Sequence, residues 1–235
     1  MKQDKIYRKP LSDIPPFSFN QEVADVFDDM INRSVPCYKE LQYLLGKFAL
    51  KFYQEKTQIY DLGCSTGETL YRIASQSQKK MKLTGVDSSA QMLAKAGVKC
   101  RKFPFIKFVE ADLLSFEPEP CSVIIITYVL QFIPPSKRLK LLKKLFDSLL
   151  PGGIILLSEK ILADHNQQTF FNLYAQFKLD NKYTELEIRQ KREALENVLI
   201  SYTIKENIGL LKKAGFKTAE PFFQYLNFCA MLAVK

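Results

Sequence analysis

The sequence is poor in residues on which much enzyme chemistry rests. It holds one histidine, His165, and no tryptophan. A metal centre with several imidazoles is therefore excluded within one chain, and histidine acid–base chemistry would rest on a single side chain. His165 lies in the polar stretch Ala163-Asp164-His165-Asn166-Gln167, which reads as an exposed loop. Apolar runs are short. The longest candidate, Cys121 to Leu130, is strand-sized, well below the ~20 residues of a membrane helix. The N-terminus, MKQDKIYRKP, has no apolar stretch behind its charges, so no secretory signal is expected. The five cysteines, at 37, 64, 100, 121 and 229, are odd in number and none are spaced as a zinc clamp. Incidental thiols in a reducing cytoplasm, with no metal site, are the expectation.

Positive charge is in excess: 34 Lys and Arg against 25 Asp and Glu give a net charge of +9. Such a balance permits nucleic-acid binding. Two basic clusters stand out, Lys99 to Lys107 and Lys137 to Lys144. In the second, leucines recur at helical spacing, which reads as an amphipathic helix with a solvated basic face. The length of 235 residues suits one domain, and the composition is globular.

The hydrophobic pattern divides the chain. Residues 20–53 read as helical, with Asn20 as N-cap and an apolar stripe of Val23, Val26, Phe27, Met30 and Ile31. Pro36 interrupts them, and a second helix starts near Tyr38. Short apolar strands then alternate with helices. The strands are expected at about Gln58–Leu62, Lys82–Val86, Ile106–Glu110, Val123–Tyr128 and Gly153–Glu159, with helices near 67–78, 89–99 and 136–149. This alternation predicts an α/β fold, a mostly parallel sheet with helices on both faces. Residues 166–214 read as helical throughout, with capping boxes at Thr184–Glu187 and Thr203–Glu206. Phe216 to Val234 read as two strands forming an antiparallel C-terminal hairpin. The expectation is one domain over 1–235, with an N-terminal helical extension over 1–56 and a helical insertion over 166–214.

The clearest motif is Ile59-Tyr60-Asp61-Leu62-Gly63-Cys64-Ser65-Thr66-Gly67-Glu68. A strand ends in an acid, and a glycine turn opens a helix whose free N–H groups face a ligand. Glu68 stands where a dinucleotide fold would place its third glycine, which counts against NAD. The acid before the turn matches the signature of S-adenosylmethionine (SAM) sites. Asp87 closes the second strand, where an acid accepts both ribose hydroxyls. Asp112 follows the third, within reach of an adenine amino group. Each alone also reads as a capping aspartate; one per strand end, in order, they form a SAM-binding constellation.

Further blocks span nearly the whole chain: Arg33-Ser34-Val35-Pro36-Cys37-Tyr38, Leu130-Gln131-Phe132, Pro151-Gly152-Gly153, Leu157-Ser158-Glu159-Lys160, Tyr183-Thr184-Glu185-Leu186-Glu187-Ile188, Gln190-Lys191-Arg192 and Leu195-Glu196-Asn197-Val198. On these blocks the chain resembles the carboxy-S-adenosyl-L-methionine synthases, a family with a class I SAM-dependent methyltransferase-like fold. The resemblance implies that SAM and prephenate are converted to carboxy-SAM and phenylpyruvate, through a sulfonium ylide that captures carbon dioxide. It implies a homodimer, and a product passed to a tRNA carboxymethyltransferase acting on a wobble uridine, with no direct tRNA binding by this chain. The family's SAM-site positions fall on Tyr38, Gly63, Cys64, Ser65, Asp87, Ser88, Asp112, Leu113, Thr127 and Arg192. Two positions depart from its pattern: Thr127 stands where asparagine is common, and Cys37 where glycine is common. Arg192 is implied as the group that grips the new carboxylate, with a planar fork suited to it. Periodicity alone reads Arg192 as an ion pair with Glu196 at i+4. The rival functions are an ordinary SAM-dependent methyltransferase and a non-catalytic RNA-binding protein. Against the first, Thr127-Tyr128-Val129-Leu130 lacks an Asn/Asp-Pro-Pro-aromatic acceptor motif.

Overall fold

The structure is a computed structural model, and it describes residues 2–77 and 79–235. Residues 2–20 form no helix or strand; they run as an irregular segment over the helices that follow. The helical part of the N-terminal extension is α1 (Gln21–Ser34) and α2 (Tyr38–Phe52). The Asn20 side chain caps α1 by accepting from Val23 N–H, as expected. Val23, Val26 and Met30 are buried from its apolar stripe.

The alternating core is β1 (Gln58–Leu62), α3 (Glu68–Gln76), β2 (Lys82–Asp87), α4 (Ala90–Lys99), β3 (Ile106–Glu110), β4 (Cys121–Thr127), α5 (Pro135–Ser148) and β5 (Leu149–Leu162). Gln78, expected as the last residue of the first core helix, lies outside the described residues, as does Met1. The fifth strand is longer than expected. Cys121 pairs with Leu149, the register then shifts, and Val123 pairs with Ile154, so the strand begins before Pro151-Gly152-Gly153.

Residues 166–214 are not helical throughout. They hold α6 (Gln167–Asp180), α7 (Glu185–Ala194), a turn, the two-residue strand β6 (Tyr202–Thr203) and α8 (Ile204–Ala214). The break has a physical cause. Arg138 donates to the carbonyl of Ile200 at 2.7 Å and lies over the Tyr202 ring at 4.4 Å, while β6 pairs with the end of β5. Both expected capping boxes are present, at Thr184 and Thr203. The chain ends in β7 (Thr218–Tyr225) and β8 (Phe228–Val234).

The sheet order is β3-β2-β1-β4-β5-β8-β7, with β6 on β5. The strands from β3 to β5 are parallel, and β8 is antiparallel to both β5 and β7. Alternation along β4 fills both layers. Ile124 and Ile126 pack with Leu142 and Leu145 of α5 and Leu211 of α8, while Val123 and Ile125 pack with Leu41 and Leu45 of α2 and Ile73 of α3. With both faces covered, the carboxyl ends of the parallel strands are left to form a site.

The expected solvated basic face on Lys137–Lys144 is only partly so. Lys137, Lys140 and Lys143 are exposed. Arg138 is 1% exposed and donates to the carbonyls of Gln131, Ile133 and Ile200. Lys144 donates to three carbonyls, of Leu113, Leu114 and Phe116. Both cations hold the chain together. Among the described residues, no helix is long and apolar enough to cross a membrane.

Candidate active site

A cavity of about 380 Å³ opens at the carboxyl ends of β1 to β5, roofed by residues from the N-terminal segment, α1, α6 and α7. Its floor is the glycine loop. Gly63 has φ +79°, and a Cβ there would collide with Val129 Cγ2. Gly63 and Cys64 N–H both donate to the Val86 carbonyl, which locks the loop to β2. Gly85 lets it approach: a Cβ there would meet Cys64 Sγ at 2.7 Å.

Asp87 is tied into this loop. One carboxylate oxygen accepts from Ser65 N–H at 2.9 Å and the other from Ser89 N–H at 2.9 Å. Each oxygen keeps a lone pair for a ligand. Burial pushes its pKa up, against the backbone donors from Ser89, Ser65 and Ser88 that favour the charge. Asp112 is exposed at the cavity rim, and one of its oxygens accepts from Leu114 N–H at 2.8 Å. Leu113 beside it is buried.

Glu68, in the position that counts against NAD, takes Arg72 at 2.7 Å and Lys99 at 3.1 Å. Lys99 also reaches Asp28 at 2.7 Å, and Thr66 Oγ1 donates to Asp28 at 2.6 Å. This network clamps α1 onto the loop, so Lys99 of the first basic cluster is engaged internally.

Several cavity-lining side chains carry buried polar atoms with no partner among the described residues: Asp61 Oδ2, Thr127 Oγ1, Tyr128 Oη and both ends of the Gln42 amide. Burial pushes Asp61 up to about 7. A polar ligand that both donates and accepts would satisfy such a set. The amino-acid end and ribose of SAM have that chemistry, so the residues present fit the molecule expected from the sequence. Tyr38, the first residue of α2, is buried, and burial, with the nearby Glu68 and Asp61 carboxylates, raises its hydroxyl well above the usual range.

The cavity thus brings together Tyr38, Gly63, Cys64, Ser65, Asp87, Ser88, Asp112, Leu113 and Thr127. Arg192 is not among its lining residues. It is exposed on α7 with its guanidinium 5.2 Å from the centre of the Phe171 ring. The expected ion pair with Glu196 is not formed among the described residues, because α7 ends at Ala194. Its neighbour Lys191 lines the cavity instead, as does Lys160. Sequence reasoning passes over these two lysines, although both lie inside the blocks it singles out. Cys37 adopts φ +52°, the left-handed region that favours glycine, at the turn before α2. His165 is exposed in a bend, away from the cavity lining. Among the described residues, no group of three or more His, Cys, Asp or Glu is placed to hold a metal ion.

Comparison with known proteins agrees with this geometry. A family described as a methyltransferase domain matches residues 59–153. An O-methyltransferase family protein from Burkholderia thailandensis superposes with a TM-score of 0.66 at 13% identity, covering 92% of this chain and 60% of that one. Human N-acetylserotonin methyltransferase, solved in complex with SAM, gives 0.64 at 20% identity, covering 92% and 55%. This chain spans under two thirds of those longer proteins, and the likeness shows the fold: a class I SAM-dependent methyltransferase-like sheet. The sequence relatives match throughout. The carboxy-S-adenosyl-L-methionine synthase of a Nitratiruptor species is 44% identical over 100% of this chain and 99% of its own. That of Desulfotalea psychrophila is 40% identical over 100% and 98%. With such identity along its whole length, the chain belongs to the carboxy-S-adenosyl-L-methionine synthase family.

Proposed function

We propose that this protein makes carboxy-SAM from SAM and prephenate, releasing phenylpyruvate. The observation that carries this reading is the 44% identity across the whole chain, where a generic methyltransferase match covers only residues 59–153. In this reading Asp87 accepts the ribose hydroxyls, Asp112 receives the adenine amino group, and the Gly63–Ser65 loop with Asp61 and Thr127 meets the amino-acid end. Tyr38 and Tyr128 enclose the sulfonium.

The reaction balances without a protein base. Loss of carbon dioxide and hydroxide from the prephenate dianion leaves the aromatic phenylpyruvate anion. The hydroxide removes one methyl proton as water, and the methyl carbon then bonds the carbon dioxide. The protein's part is to position both molecules and exclude bulk water. The exposed setting of His165 supports a scheme that does not call on it.

The product is a small molecule, which a tRNA carboxymethyltransferase would carry to the wobble uridine in the cytoplasm. The chain's own positive charge does not require tRNA binding, since Lys99, Arg138 and Lys144 are engaged internally. A homodimer is part of the reading. It is supported by α6, which has no fully buried residue and leaves Leu173 51% exposed. Arg192 is retained as the grip on the product carboxylate. From its exposed position on α7 it reaches that group by side-chain rotation or in the cavity of the second copy.

The test is to incubate purified protein with SAM and prephenate and to follow the nucleoside and keto-acid products by mass spectrometry. Carboxy-SAM and phenylpyruvate in equal amounts are expected. S-adenosylhomocysteine with a methylated acceptor would replace this reading by an ordinary methyltransferase.

A further inference from the structure

Three ammonium groups meet beside the cavity with too few carboxylates to balance them. Lys160 continues β5 past Ser158, the partner of Thr127, so it stands at the carboxyl edge four strands from Asp112, roughly 19 Å across the sheet. Lys191 enters from α7, and both side chains line the cavity. Lys178, from α6, backs the same place. Its Nζ is 4.5 Å from the centre of the Tyr174 ring, and Lys160 Nζ is 5.0 Å from the same centre.

Among the described residues, neither Lys160 nor Lys178 has an ion pair, and both ammonium groups lie over that ring. Lys191 has one carboxylate, Asp4, at 3.9 Å, and this oxygen already accepts from the Tyr183 hydroxyl at 2.6 Å. The other charges felt there are positive: Arg33 by Lys191, and Arg192 by Lys178. Burial, reinforced by these neighbours, pushes Lys178 down to about 7, and burial above all pushes Lys191 down to about 8. Lys191 also donates to Ser34 Oγ at 3.4 Å. Half-buried cations short of counter-charges are costly, and they persist in clefts where an anion comes and goes.

We propose that Lys160 and Lys191, reinforced by Lys178 behind Tyr174, form the receptor for a small dicarboxylate bound next to SAM, one carboxylate to each cavity-facing ammonium. This rests on the proposed function, whose second substrate is a dianion. The receptor has a further consequence. SAM carries a positive sulfonium, which the empty lysine cluster repels and the dianion screens, so each ligand tightens the other.

The experiment uses the full chain and the variants Lys160→Gln, Lys160→Arg and Lys191→Gln. Two probes are titrated onto SAM-loaded protein: prephenate, read as its KM, and glutarate, a dicarboxylate that cannot react, read by calorimetry. Lys160→Gln should raise the prephenate KM and the glutarate Kd at least tenfold. Its affinity for SAM alone should be unchanged or tighter, because a like charge has left the cavity. Lys160→Arg, which keeps the charge, should recover most of the loss, and Lys191→Gln should resemble Lys160→Gln. A KM and Kd within twofold of wild type in both glutamine variants would overturn the receptor. So would an equal weakening of SAM and glutarate, which marks a structural role. Wild-type protein that binds glutarate through Lys160 but makes no carboxy-SAM would instead overturn the proposed function and leave the receptor standing.

Discussion

The floor and the roof of the cavity are fastened by different means. In the floor, main-chain N–H groups bonded between one strand end and the next do much of the holding: Asp87 takes the N–H of Ser65 and of Ser89, and Val86 takes those of Gly63 and Cys64. In the roof, side chains act across long stretches of chain. Tyr174 donates to the Ser34 carbonyl 140 residues away, Arg33 to the Asn181 carbonyl, and Gln190 to the carbonyls of Tyr7 and Lys9, 183 and 181 residues away. The general methyltransferase match stops at residue 153, before α6 and α7 begin. The fold is shared with proteins only 13% identical, and the helices that follow the general methyltransferase match contribute to a roof assembled from both ends of the chain.

If floor and roof divide the labour in this way, variants in each should separate the two ligands. Asp87→Ala should have the largest effect, weakening SAM and carboxy-SAM alike by about 3–6 kcal/mol, since two hydrogen bonds to a charged acceptor are lost. Paired calorimetric titrations would read this, and a difference between the ligands would give Asp87 another role. Arg192→Ala, in the roof, should leave most of the SAM affinity and cost carboxy-SAM about 1.5–3 kcal/mol, the worth of a hydrogen bond to a charged group. Arg192→Lys should recover only part of that. Equal loss for the two ligands would remove Arg192 from the carboxylate. Cys37→Gly tests the joint between the helices that join roof to floor. It relieves a left-handed residue at a cost of about 1–2 kcal/mol, partly offset by a more flexible unfolded chain. The melting temperature should rise by about 2 °C; a fall in a thermal scan would show that the thiol contributes packing.

Much of the floor is legible from local pattern. A glycine turn after an acid, then Asp87 and Asp112 at successive strand ends, depends on chain neighbours alone, and the strands are parallel as the alternation requires. The roof is harder to read because its logic is non-local. Nothing around Asp4 announces that its carboxylate will meet Tyr183 and Lys191. The leucine spacing of α5 marks the helix, but it gives no hint that Arg138 turns inward to hold Ile200. The break at Tyr202–Thr203 escapes the pattern for the same reason, since the partner that stops the helix is on β5. Lys160, Lys178 and Lys191 are visible as residues, yet the meeting of Lys160 and Lys178 on Tyr174, and of Lys160 and Lys191 on the cavity, arises only when β5, α6 and α7 are brought together.

The bonds from Gln190 to the first residues also set an order of events during synthesis. Tyr7 leaves the ribosome 183 residues before the side chain that will hold it. At about 5–20 residues per second, that gap lasts on the order of ten to forty seconds. Through that interval Tyr7 and Lys9 lack the side chain that will hold them, although Asp4 can already meet Asp29 and Arg33 of α1. The cavity gains its full cover only when α7 emerges, so a nascent chain can form the floor of the site before it can enclose a ligand.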